Sequence, residues 1–324
     1  MSKQWKLSLR TQVKPRTWLK PRRLSRLIQS NKPTRLRRLY GLPPITDPLQ
    51  LYLEMAELIF KLNNAHFSYL KKYPALCGID MEIAKGEKIA ILGANGSGKS
   101  TLLQLLDALI FPDQGSIQAF EHELREADFN DAAFCRNFRK RVGLVFQNPD
   151  IQLFCPTVKG DIFFGPLQLG MDRPKIEKKV EEIIEGLGIK DLLERSPHQL
   201  SVGEKRKVAI ASVLAIEPEV ILLDEPTAGL DPQTARHIMD MIIEANEKGK
   251  TIITATHDLH IVEEIADKAY ILSRQKQIAL SGPVAELLSN AELLREHNLM
   301  HIHKHRHQGQ AHIHTHQHLD HHQH

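Results

Sequence analysis

Eight residues, Gly93-Ala94-Asn95-Gly96-Ser97-Gly98-Lys99-Ser100, constrain what this chain can fold into more than any others. They fit the pattern G-x-x-x-x-G-K-[ST], with the apolar run Lys88–Leu92 before them and the helix-like stretch Lys99–Leu109 after them. The glycines let the backbone curl until successive N–H groups point inward at phosphate oxygens. The following helix turns its positive end toward the same anion. Lys99 is placed to reach the β- and γ-phosphates, and Ser100 to offer its hydroxyl to Mg²⁺.

A second acidic site begins at Val220, where four apolar residues are followed by Asp224 and Glu225. A strand ending in two acids puts the first carboxylate at the edge of a sheet, where it can hold Mg²⁺ through water. The second then lies near an attacking water, so Glu225 is assigned as general base or water-orienting group. Short aliphatic runs at Val142–Phe146 and Thr251–Thr256 read as further strands, and Pro174–Leu187 and Val208–Ile216 as helices of 3.6-residue period. The alternation is that of an α/β domain.

Two compositional extremes flank this middle zone. Residues 1–46 hold 13 of the 43 Lys and Arg and no acid, so the net charge of +4 conceals an acidic body of 30 basic and 39 acidic residues. Prolines 15, 21, 33, 43, 44 and 48 deny this leader a long helix. From His301 onward, 11 of 24 residues are histidine. No run approaches the roughly 18 apolar residues of a membrane-spanning helix. Contact with a membrane is therefore expected to come through a partner or the protein surface. The three scattered cysteines, Cys77, Cys135 and Cys155, have no metal-ligand spacing and read as small hydrophobes in a reducing compartment.

Further motifs stand in a fixed order around the two sites. Leu200-Ser-Val-Gly-Glu-Lys-Arg-Lys207 precedes the Asp224–Glu225 strand. Ala228-Gly-Leu-Asp231-Pro232 follows it, and Thr256-His257-Asp258 closes the next strand. Gln147 ends the Val142–Phe146 strand, and Phe67-Ser-Tyr69 lies upstream. From about Ala56 to Ser289 the sequence resembles the ATPases of ABC transporters. The resemblance implies a P-loop NTPase of ABC type: a RecA-like mixed sheet, a small antiparallel β-subdomain and a helical signature subdomain over about 148–206. That divides the chain into a disordered leader over 1–54, an ATPase domain over 55–289, and a helix end with a disordered His-rich tail over 290–324.

It also implies roles. Glu225 and His257 would be catalytic, and Tyr69 would stack on adenine. Gly93, Ala94, Asn95, Gly96, Ser97, Gly98, Lys99, Ser100 and Thr101 would hold the phosphates, and Ser100, Gln147 and Asp224 would hold Mg²⁺. Two copies, or this chain and a paralogous ATPase, would face head to tail. Ser201, Gly203, Glu204 and Asp231 would then complete the partner's ATP site. The chain departs from the family at Val202, where glycine is usual, and at Glu204, where glutamine is usual. A Val side chain resists positive φ, so this segment must adopt a conformation open to β-branched residues, and Glu204 adds charge near a polyphosphate.

The stretches Asn148-Pro-Asp-Ile-Gln-Leu-Phe154 and Phe164-Gly-Pro-Leu-Gln-Leu-Gly-Met171 resemble the ATPases of energy-coupling factor importers. These take up vitamins, cobalt or nickel through integral membrane subunits. The tail favours metal, because imidazoles at i,i+2 suit Ni²⁺ or Co²⁺. The candidates are His301, His303, His305, His307, His312, His314, His316 and His318. The expected protein is a peripheral subunit at the cytoplasmic face of the cell membrane, and a metal-buffering ATPase is the rival reading. For the leader, a transit peptide, a membrane-surface arm, nucleic-acid binding and a true start at Met55 remain open. No stacking array supports nucleic acid, which is not an expected partner.

Overall fold

The computed structural model describes residues 57–296, 299, 301–307 and 310–316. The basic leader, the choice between Met1 and Met55, and His318 lie outside the described residues. All of the elements fall in Leu58–His324, the second of the two units into which the chain divides. The chain runs through β1 (Leu58–Tyr69), β2 (Tyr73–Ala84), β3 (Lys88–Leu92), α1 (Lys99–Leu106), β4 (Gln114–Ala119), β5 (His122–Glu123), α2 (Ala132–Arg141) and β6 (Val142–Val145). Three helices follow, α3 (Val158–Gln168), α4 (Arg173–Leu187) and α5 (Val202–Leu214). Strand and helix then alternate through β7 (Val220–Asp224), α6 (Pro232–Glu247), β8 (Thr251–Thr256), α7 (Leu259–Ile265) and β9 (Lys268–Leu272). The last elements are β10 (Ile278–Pro283), α8 (Val284–Ser289), α9 (Ala291–Glu296), β11 (His301–His307) and β12 (Gln310–His316).

The strands form the two main sheets expected from the resemblance. One is four-stranded in the order β2-β1-β4-β5 and antiparallel throughout. The other is six-stranded, β10-β9-β3-β8-β7-β6, parallel except where β10 meets β9. Central strands of the second sheet are apolar on both faces: Ile89, Ala90, Ile91 and Leu92 are all fully buried, as are the aliphatic residues of β8. A parallel sheet covered on two sides demands such continuous apolar runs in place of alternation. All the parallel strands end at the same edge, and β3, β6, β7 and β8 deliver the phosphate loop, Gln147, Asp224–Glu225 and Thr256–His257 to it.

The α-helical segment between β6 and β7 has its own core. In α4, Ile176, Val180, Ile183, Ile184 and Leu187 are buried at helical spacing, with Pro174 in the first turn and Gly188 closing the helix at φ 62°. Their neighbours include Val158 and Ile162 of α3 and Val208, Ile210 and Val213 of α5.

Two sequence expectations are corrected. Helix α5 begins at Val202, six residues before the expected Val208. The cause is a capping box: the Ser201 hydroxyl accepts from the Glu204 N–H at 3.3 Å, and the Glu204 carboxylate accepts from the Ser201 N–H at 2.7 Å. In the tail, expected to be disordered, β11 and β12 pair antiparallel, with His301, His303 and His305 in register with His316, His314 and His312. That expectation weighed only the tail's shortage of apolar residues. An antiparallel ladder is held by main-chain hydrogen bonds, which need no apolar side chains.

Candidate active site

The phosphate loop joins β3 to α1, and its glycines are where backbone space runs out. A Cβ on Gly93 would lie 2.5 Å from the Ser97 hydroxyl, and one on Gly98 would lie 2.5 Å from the Ala75 carbonyl. Gly98 also sits at φ 108° as it caps α1, a conformation costly for any other residue. The Lys99 side chain is buried. Its ammonium donates to the Gly93 carbonyl at 2.8 Å and lies 3.5 Å from the Glu225 carboxylate. The cradle matches a polyphosphate: N–H groups at a helix start, one buried cation, and a buried Ser97 hydroxyl with no hydrogen-bond partner among the described residues.

Beside the loop, Asp224 ends β7. Burial raises its carboxyl above the usual range, and a hydrogen bond from Ser100 only partly offsets this. Its Oδ1 is buried and lacks a partner among the described residues. An unpaired carboxylate oxygen next to a serine hydroxyl is the hard oxygen donor set that Mg²⁺ takes.

Glu225 is the most constrained residue of the site. It is buried and non-glycine, yet its φ is 44°, left-handed backbone that costs about 1–2 kcal/mol. Three contacts hold it there. Its N–H donates to the Ala255 carbonyl at 2.9 Å, the Thr256 hydroxyl donates to its Oε2 at 3.0 Å, and His257 Nδ1 lies 2.8 Å from its Oε1. Burial pushes the Glu225 carboxyl up, but His257, Lys99 and Thr256 outweigh burial and leave it below its ordinary value. The hydrogen bond to Glu225 raises His257 above its ordinary 6.5.

The remaining sequence candidates fall into two groups. The Tyr69 hydroxyl, at the end of β1, lies 3.1 Å from the Thr101 hydroxyl and 3.3 Å from the Gln104 amide oxygen, so its ring stands beside the phosphate loop. Asn95 and Gly96 are exposed at the loop's tip and Ala94 is half-buried beside them. Ser201, Gly203 and Glu204 start α5, and Gly203 approaches Leu230 and Thr234. Asp231 caps α6 by accepting from the Thr234 N–H at 3.0 Å. No hydrogen bond or ion pair among the described residues joins this second group to the phosphate loop of the same chain. Gln147 is exposed at the end of β6.

Val202 is the first residue of α5, 58 % exposed, in ordinary helical conformation. The constraint against positive φ is met because the capping box has made this segment a helix start. Val202→Gly is therefore expected to leave ATPase activity within about twofold while lowering stability by about 0.5 kcal/mol, the Gly–Val difference in helix propensity. Steady-state kinetics with thermal melts check this.

Comparison with known proteins agrees with this geometry. Residues 76–228 match the ABC transporter family. The chain is 49% identical to the nickel import ATP-binding protein NikO of Rhodobacter capsulatus over 244 residues, covering 74% of this chain and 95% of that one. It is 42% identical to the energy-coupling factor transporter ATP-binding protein EcfA of Methanocaldococcus jannaschii, covering 74% of this chain and 85% of that one. Among solved structures, CbiO1 of Clostridium perfringens, part of an ABC transporter complex, superposes with a TM-score of 0.63 at 37% identity. The match covers 75% of this chain and 95% of CbiO1. The chain belongs to the ABC transporter ATPases of the energy-coupling factor type. A dimeric ATP-binding cassette in a post-hydrolysis state with ADP and Pi also superposes with a TM-score of 0.63, at 27% identity over 70% of this chain and 99% of that one.

In this ABC ATPase, three residues of the site escaped the sequence. Thr256 bridges Glu225 and the Asp258 N–H, at 3.0 and 3.1 Å. Lys276, at φ 65° in the turn between β9 and β10, lays its ammonium on the Gly96 carbonyl while its own carbonyl accepts from Cys77 N–H at 2.8 Å. Nothing in the text around Lys276 signals this. Arg206, in the basic run Lys205-Arg-Lys207, reads as solvated, yet it is 3% exposed. Helical phase was the available signal, since Arg206 shares a stripe with Ile210 and Val213.

The Glu225–His257 pair sets a pH dependence. Its stabilisation is full while His257 is protonated and Glu225 ionised. It fades as pH rises through the raised His257 value and as pH falls through the lowered Glu225 value. In the nucleotide-free ATPase, His257 is expected to titrate above 6.5, and Glu225→Gln to bring it down. An NMR titration of the His257 ring measures both, and an unmoved ring in the variant would show that Glu225 is not its partner in solution.

Proposed function

We propose that this ATPase energises import of a divalent transition metal, nickel or cobalt, through an energy-coupling factor transporter. The likeness to NikO across 95% of that protein carries the reading. The His-rich tract supports it, with His301, His303, His305, His307, His312, His314, His316 and His318 as candidate Ni²⁺ or Co²⁺ ligands.

The proposed mechanism assigns the chain's own groups. Lys99, Ser97 and the loop N–H groups bind the phosphates, and Tyr69 meets the adenine. Ser100, Asp224 and Gln147 would hold Mg²⁺, which supplies charge neutralisation at the β- and γ-phosphates. Glu225 orients a water and accepts its proton as that water's oxygen bonds to the γ-phosphorus and the bond to the ADP oxygen breaks. His257 steadies the transferring phosphoryl group. Among the described residues no hydrogen bond or ion pair joins the Ser201 group to the phosphate loop of the same chain, which favours a head-to-tail dimer. Ser201, Gly203, Glu204 and Asp231 of one copy, or of a paralogue, would serve the other's nucleotide.

An integral membrane partner is supported by apolar surface next to Gln147. Ile151, Phe154, Phe164 and Leu167 are 41–65% exposed, and the Phe154 and Phe164 rings meet edge-on at 4.8 Å. Among the described residues no helix is long and apolar enough to cross a membrane. The proposed place is peripheral, at the cytoplasmic face, held there by that integral membrane partner.

Uptake of Co²⁺ and Ni²⁺, assayed separately in cells lacking the gene, tests the cargo. Loss of one uptake, restored by the intact gene and not by a Glu225→Gln copy, is expected. If neither uptake changes, the metal cargo is wrong and a vitamin becomes the substrate to test.

A further inference from the structure

Arg206 is buried on α5, and both ends of its guanidinium are committed to one place. Nη1 donates to the Phe146 carbonyl at 2.8 Å and Nη2 to the Gln147 carbonyl at 2.6 Å. Two neighbouring side chains bind the same segment to the same helix. Gln152 accepts from the Phe146 N–H at 3.2 Å and donates to the Ala209 carbonyl at 2.8 Å. Lys205 pairs with Asp150 at 2.7 Å. Asp224 and Glu225 act electrostatically on the Arg206 cation. The peptide on which the Gln147 side chain stands is therefore fastened to α5, five residues after the Ser201 cap. A rigid helix carries the position of its first turn to that point.

We propose that Arg206 is a positioning residue for hydrolysis: it fixes the backbone of Gln147 and makes the place of that side chain depend on α5, whose N-terminus serves the opposite nucleotide. This rests on the reading of Gln147 as a Mg²⁺ ligand. The planar fork matters, because two carbonyls one residue apart need two donors in a fixed geometry, which a lysine ammonium on a flexible stem does not supply. Closing of α5 on the partner's ATP would then move Gln147 in its own site, linking the two sites through one side chain.

The test uses the full chain in a Glu225→Gln background, where bound ATP persists. The rise in Tm with ATP is followed as Mg²⁺ is titrated, giving a Mg²⁺ midpoint that needs no turnover. Gln147→Ala is expected to raise the midpoint about 30-fold and Arg206→Lys about tenfold, within the range that lost supporting contacts cost at metal sites. The double variant is expected to match Gln147→Ala alone. Gln152→Leu, which frees the Phe146 N–H and leaves the guanidinium, is expected to move the midpoint the same way by less. It keeps the question open to test if Arg206→Lys does not fold. Arg206→Lys with a lower resting Tm but an unmoved midpoint, or additive effects in the double variant, would overturn the positioning role and leave Gln147 as assigned. An unmoved midpoint in Gln147→Ala would overturn the Mg²⁺ role of Gln147 and this inference with it.

Discussion

Replacing Glu225 by Gln is expected to lower kcat for ATP hydrolysis by about 10²–10⁴-fold, the range of a lost general base, with ATP still bound. Among the described residues this is the acid placed against Lys99, His257 and Thr256 together, and its lowered pKa keeps it in the ionised form that a base needs. Gln keeps the shape and can still accept from Thr256, so the fold is expected to hold. Binding should not suffer, because Lys99 no longer has a carboxylate competing with phosphate for its ammonium. Single-turnover hydrolysis beside equilibrium binding of a fluorescent ATP analogue separates the two effects. Activity within a few-fold of the parent would remove Glu225 from the chemistry.

The second large effect is at Lys99. Lys99→Ala is expected to weaken ATP binding by about 100-fold, since each charge-assisted hydrogen bond to phosphate contributes about 1.5–3 kcal/mol. Without nucleotide, the Lys99 ammonium rests on the Gly93 carbonyl and near Glu225, and ATP must draw it away from both. Part of the gross attraction is thus spent on releasing those contacts, which is why about 100-fold is expected and not more. Calorimetric titration with Mg·ATP measures this. Unchanged affinity in Lys99→Ala would mean that the loop N–H groups alone hold the phosphates.

How far the text revealed the site depended on whether each element was continuous in sequence. The phosphate loop was legible because one strand, one loop and one helix start supply all of it within a dozen residues. Asp224 and Glu225 were legible as acids at a strand end, and the central strands as unbroken aliphatic runs. The meeting of Glu225 with His257 and Lys99 was not derivable from spacing. It depends on β3, β7 and β8 lying side by side in an order that differs from their sequence. The start of α5 was misjudged although Ser201-x-x-Glu204 is a capping box, because the helical period was followed only through its apolar residues. Arg206 was hidden by composition, since a Lys-Arg-Lys run resembles a solvated face. The tail was weighed by hydrophobicity, which says nothing about a hairpin whose strands pair through the backbone.

The left-handed backbone at Glu225 has a consequence for anyone selecting this protein for robustness. Gly accepts φ 44° without strain and Asn with little, so substitution by either relieves about 1 kcal/mol of backbone strain, against which stands the lost pairing with His257 and Thr256. Either one also deletes the proposed base. In a thermal screen without a catalytic readout, run at a pH above the His257 value where the ion pair has faded, such substitutions would be favoured, so backbone ease and work output are set against each other at this one position.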